Sequence, residues 1–144
     1  MADPLSTAAS VAGLVSLAIQ LSQLSFQYVS SVKGSSKVWS GYIQELSTLT
    51  SVLLKLQQAY EAAGSRDLLG IVSGPGLSAQ TIKECHDELS SLKSVLSERL
   101  QKRGLRGMLE KLSWPFSEPD TQAKVLMLHR FGSLFGSSLV ADNL

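Results

Sequence analysis

Apolar and polar residues alternate along this chain with the period of a helix in four separate stretches. Leu14, Leu17, Leu21, Leu24 and Tyr28 follow a 3,4,3,4 spacing, with Ser16, Gln20, Gln23, Gln27 and Ser30 on another face. Trp39, Tyr42, Leu46, Leu49, Leu53, Leu56 and Tyr60 repeat the rhythm, and Ile82, Cys85, Leu89, Leu92 and Leu96 repeat it again. In the last stretch the apolar side runs through Val125, Leu128, Phe131, Phe135 and Leu139. An apolar residue every three or four positions makes a narrow seam, the pattern by which helices pack at shallow angles in bundles. Outside these stretches no segment keeps the two-residue alternation of a half-buried strand. The pattern predicts an all-α four-helix bundle, with helices over about 4–33, 36–63, 79–102 and 118–140.

Boundary residues agree with those spans. Asp3 and Pro4 form a helix start, a carboxylate ahead of a proline in the first turn. Gly34 and Gly64 stand where left-handed caps would end the first two helices. The run Ser73-Gly74-Pro75-Gly76 breaks the chain before Ser78, which can cap the third helix. Ser117 to Asp120 resembles a capping box with Asp in place of Glu. Additional short helices are expected in the loops, at Arg66–Val72 and Leu105–Leu112.

The first helix differs from the other three in charge. Between Asp3 and Lys33 there is no charged residue, and Ala8–Ile19 is the most apolar stretch of the protein. A surface helix ordinarily shows charge to water, whereas this one shows hydroxyls and amides. Little electrostatic cost therefore opposes its transfer to a bilayer. A constitutive span is not expected, because eleven residues of Pro4–Val32 are Ser, Thr or Gln. A secretory signal is not expected either, because no Lys or Arg precedes the apolar run. Ala9 with Gly13, and Gly132 with Gly136, are small residues four apart. They suit close helix approach in lipid, or simply make room between helices packed in a bundle.

The remaining composition narrows the function classes. A chain of 144 residues is one domain by length and buries roughly 68–70% of its unfolded surface. One cysteine leaves no internal disulfide framework and fits a reducing compartment. A net charge of +1 and 6% aromatics do not make a nucleic-acid footprint. Cys85 and His86 are adjacent, so on a helix they diverge by about 100° and form no dyad. His129 is the only other histidine, no zinc-like spacing is present, and Gly74-Pro75-Gly76 lacks the context of a phosphate loop. Catalytic, metal and cofactor residues are accordingly expected to be none.

Charge is nevertheless partitioned. Glu61–Glu98 holds six acids against three bases, while Arg99, Lys102, Arg103, Arg106 and Lys111 face a single acid, Glu110. Leu105, Met108, Leu109 and Leu112 interleave with them, and Trp114 and Phe116 follow. Basic residues among apolar ones suit anionic lipid headgroups, each cation adding about 1 kcal/mol. The same segment also reads as a solvated connector closing one end of the bundle.

Three motifs resemble a known family. Asp3-Pro-Leu-Ser6 followed by Ala8-Ala-Ser-Val-Ala-Gly-Leu14 is similar to the opening of fungal HeLo-like domains. Glu45-Leu46 with Leu49 and Leu53, and the Trp114-Pro115 entry to the last helix, are similar too. Such domains head fungal STAND (NLR-like) immune receptors and cell-death executioners, and are akin to the four-helix killer domain of the necroptosis pseudokinase. The resemblance implies a bundle at rest in the cytoplasm that oligomerises, exposes its first helix and permeabilises the plasma membrane. Carried onto this chain, insertion falls on Leu5, Ala9, Val11, Gly13, Leu14, Val15, Leu17 and Ile19, and headgroup contact on the five basic residues. The implied partners are copies of itself, anionic lipids, and an NLR-like receptor or amyloid signalling protein. Neither a nucleotide-binding domain nor an amyloid tail accompanies these motifs here, so an excised domain or a stand-alone protein is expected. The alternative is an oligomerising adaptor that transmits a receptor signal without touching lipid.

Overall fold

A computed structural model describes residues 4–32, 37–62, 78–106 and 113–142. Four helices account for nearly all of them: α1 Pro4–Ser30, α2 Lys37–Ala62, α3 Ala79–Arg106 and α4 Glu118–Asp142. The all-α four-helix architecture is as the periodicity predicts. Gly34, Gly64 and the expected helical turn at 66–72 lie outside the described residues.

Each visible start has a local cause. Ser78 Oγ accepts the Thr81 amide at 3.0 Å, and Ser117 Oγ accepts the Asp120 amide at 3.2 Å. Both side chains satisfy an N–H that the first helical turn leaves without a partner. In α4, Glu118 and Asp120 also set negative charge at the positive end of the helix dipole. The end of α3 departs from expectation. It runs through Gly104 to Arg106 rather than stopping near 102, and absorbs the first two residues of the short helix expected from Leu105. One glycine costs a helix only about 1 kcal/mol, too little to terminate it here.

Extensive packing joins α2 to α4, α1 to α2 and α1 to α3, giving the order α3–α1–α2–α4. Ser22 meets Thr50 and Ser25 meets Tyr42, so α1 and α2 run antiparallel. Gln20 meets Lys93 and Tyr28 lies by Arg99, so α1 and α3 run in the same direction. Gly41 with Val125, and Glu45 with His129, show that α2 and α4 are parallel as well.

One continuous core fills the space between the helices. From α2 it takes Tyr42, Leu46, Leu49, Leu53, Leu56 and Tyr60, and from α3 Ile82, Cys85, Leu89, Leu92 and Leu96. These are the residues that the spacing selected, apart from Trp39, which is only half-buried. In α4, Leu128, Phe131 and Phe135 are buried, with Val125 and Leu139 packed at the margin.

In α1 the seam is displaced. The buried positions are Val11, Leu14, Val15, Ala18, Leu21, Ser25 and Tyr28, while Leu17 and Leu24 sit half-buried beside them. α1 lies between α2 and α3, as α2 lies between α1 and α4, but two of its central positions are filled by Ala18 and Ser25, small enough for close approach. Ser25 is tolerated there because its hydroxyl bonds the Tyr42 phenol at 2.8 Å.

Candidate functional site

The outer surface of α1 carries the feature that most distinguishes this bundle. Ser16, Ile19, Gln20, Gln23, Phe26, Gln27 and Ser30 are exposed along it, and none bears a charge. Ile19 is 37% exposed and Phe26 54%, seven residues apart and hence on one side of the helix. Phe26 was not among the residues expected from sequence, although its register, two positions before Tyr28, already places it off the buried seam.

The proposed insertion residues divide between core and surface. Val11 and Leu14 are fully buried, Val15 nearly so, and Leu17 half-buried, whereas Gly13 and Ile19 face outward. The side chains of Leu5 and Ala9 lie outside the described residues. The most apolar face of α1 is therefore committed to the core, and α1 can offer it to another environment only by leaving the bundle.

The glycines do not make room between packed helices, which was one expectation for them. Among the described residues, a methyl group added at Gly13, Gly132 or Gly136 would meet nothing within 4 Å. Gly41 comes nearer to such a role, and there the added carbon would lie 3.8 Å from Val125 Cγ2, an ordinary contact.

The basic segment gains order from the extension of α3. Arg99, Lys102, Arg103 and Arg106 occupy positions i, i+3, i+4 and i+7 of one helix, within a single face. Arg99, Arg103 and Arg106 also continue the 3,4 register of Leu89, Leu92 and Leu96. The 3,4 register thus passes from leucine to arginine at Arg99, which is exposed. Arg99 and Lys102 are exposed, and Lys102 pairs with Glu98 at 3.1 Å. The side chains of Arg103 and Arg106, and the whole of Lys111, are outside the described residues.

Trp114 and Pro115 stand in the non-helical link between α3 and α4, both half-buried. The indole centroid of Trp114 lies 6.2 Å from Tyr28, 6.1 Å from Trp39, 5.4 Å from Tyr42 and 5.7 Å from Phe116. Its Nε1–H donates to Thr121 Oγ1 at 2.8 Å, and Thr121 donates onward to the Ser117 carbonyl at 2.8 Å. Next to it, the Tyr28 hydroxyl donates to the Ser113 carbonyl at 2.6 Å. One side chain thereby touches α1, α2 and α4 together. Burial pushes the Tyr42 phenol up to about 12, against the smaller opposing effect of its bond to Ser25. Burial also raises Tyr28, with the nearby Arg99 guanidinium acting the other way.

Cys85 is fully buried, and desolvation, with Glu88 adding to it, pushes its thiol up to about 12. Such a thiol is a core hydrophobe rather than a nucleophile at neutral pH. Among the described residues no group of three or more His, Cys, Asp or Glu could hold a metal ion. Among them, too, no helix is long and apolar enough to cross a membrane.

Comparison with known protein families gives a match. The family model described as pigment biosynthesis cluster protein PigL, N-terminal, matches residues 2–75, a span that takes in α1 and α2. No curated protein and no solved structure matches the chain. With just over half of its 144 residues covered by that model, the chain belongs to the PigL N-terminal family.

Proposed function

We propose that this domain is a non-enzymatic, inducible membrane-targeting module of the HeLo-like kind, acting in regulated cell death by self-assembly and release of α1. The observation that carries the reading is the charge-free surface of α1, with Ile19 and Phe26 exposed on it. Released from the core, Val11, Leu14, Val15, Ala18 and Leu21 supply a second apolar face. Clustered copies satisfy the Ser and Gln side chains against one another, which a single helix in hydrocarbon cannot do. Assembly is needed for a further reason: alone, α1 is not apolar enough to span a bilayer. The basic face that begins at Arg99 supplies attraction to anionic headgroups. At rest the bundle is cytoplasmic, and on activation it moves to the plasma membrane.

A second reading is a non-lytic oligomerisation adaptor for a larger protein, an NLR-like receptor among them. The absence of a spanning helix among the described residues favours it. So does the family description, which puts the domain at one end of a pigment biosynthesis cluster protein. Carried to this chain, that is the place of an accessory module.

The test is dye leakage from anionic liposomes by the domain fused to an assembly tag, with and without Ile19→Glu and Phe26→Glu together. Both side chains are exposed enough for the double variant to keep its circular dichroism spectrum. Wild-type leakage that weakens in high salt, and at least a tenfold loss in the double variant, is the expected result, given about 2.5–3.5 kcal/mol opposing each buried charge. Defined oligomers without leakage would hand the function to the adaptor. Leu14 is unsuitable for this purpose, because a carboxylate at that fully buried site would disrupt the core.

A further inference from the structure

We propose that the Ser113–Ser117 link is a clasp that holds the carboxy-terminal half of α1 in the bundle, and that withdrawal of Trp114 is the step that frees it. The clasp joins groups far apart in sequence through a segment that is not itself helical. Trp114 can therefore swing away without breaking a helix's backbone ladder. Its departure removes the ring contacts to Tyr28, Trp39 and Tyr42, the bond to Thr121 and the neighbouring bond from Tyr28 to Ser113. What stays intact is equally important. The packing of α2 against α4 involves core residues such as Leu128, Phe131 and Phe135, well along α4 from the link. Opening is thus confined to one end of the molecule, where α1 finishes and the 3,4 register of α3 passes to arginine at Arg99. An event on that basic face bears on α1 through charge, since the Arg99 guanidinium is near enough to act on the Tyr28 phenol. The clasp stands whether the released helix meets lipid or another protein.

Backbone hydrogen exchange on the full chain tests this, because local opening and global unfolding separate by region. In Trp114→Ala, amides of Gln20–Ser30 should exchange about tenfold faster relative to those of Leu46–Leu56 than in the wild type, the signature of a sub-global opening. Leu89→Ala, a cavity in the α3 seam, should instead lower protection in both regions alike. Equal loss in the two regions for Trp114→Ala, or no loss in α1, would overturn the clasp. Should Trp114→Ala fail to fold, Tyr28→Phe removes only the hydroxyl that bonds Ser113. A smaller but still α1-selective acceleration supports the clasp, and unchanged exchange overturns it. The fluorescence of Trp39, the only other tryptophan, reports whether that end of the molecule has loosened.

Discussion

A hydroxyl pair in the core decides how α1 and α2 are fixed in register. Ser25 and Tyr42 are both buried, and each satisfies the other at 2.8 Å. Replacing either alone leaves a polar atom in an apolar interior, at a cost of about 1–3 kcal/mol, whereas replacing both removes the demand as well as the bond. Ser25→Ala and Tyr42→Phe should each lower stability in urea by about that amount. The double variant should lose clearly less than the sum of the two. Strict additivity would mean that the hydroxyls do not depend on each other. Hydropathy ranks Leu24 above Ser25, which is why the sequence pattern points to the leucine. The signal for the serine is its place in the 3,4 register between Leu21 and Tyr28, and only a partner from α2 gives that place its meaning.

For individual helices, legibility follows the size of the residues at the centre of the buried face. In α2 and α3 a leucine-rich heptad pattern leaves one consistent face, and nearly every seam residue inferred from spacing is buried. In α1 small residues take the central positions, so the buried seam runs through Ala18 and Ser25, with Leu17 and Leu24 half-buried beside it. The end of α3 is less legible, because local propensity alone says little where Gly104 is tolerated. Glycines supply a direct test at this scale. Among the described residues no neighbour approaches an added methyl at Gly132 or Gly136, so helix propensity should act unopposed. Gly132→Ala and Gly136→Ala should each stabilise the bundle by about 0.5–1 kcal/mol, seen as a higher Tm. A lower Tm in either would show a close approach at that position in solution.

Across the whole molecule, the helices were readable from periodicity, but the way they are fastened together was not. Trp114 lies 86 residues from Tyr28 in the chain numbering and 72 from Tyr42, yet its ring reaches both. No local pattern encodes such a meeting. The order α3–α1–α2–α4 has the same character, since it sets α1 and α2, and not the last two helices, between two partners each. This arrangement gives the functional proposal its main tension. The helix best suited to another environment is also one on which the folded core depends, and a single Leu14→Ala would cost about 2–5 kcal/mol. Activity and the resting fold therefore compete for the same residues, and assembly must supply what the core gives up.

That competition can be tested by tying α1 in place. Ser22 Oγ and Thr50 Oγ1 lie 3.2 Å apart between α1 and α2, which makes this pair the place to introduce a disulfide. Buried Cys85, its thiol pushed up to about 12, should not compete for the pairing. Ser22→Cys with Thr50→Cys, fused to an assembly tag and oxidised, should stay folded and leave anionic liposomes intact, and reduction should restore leakage to the wild-type level. Equal leakage from the oxidised and reduced protein would contradict the claim that α1 must leave the bundle to act.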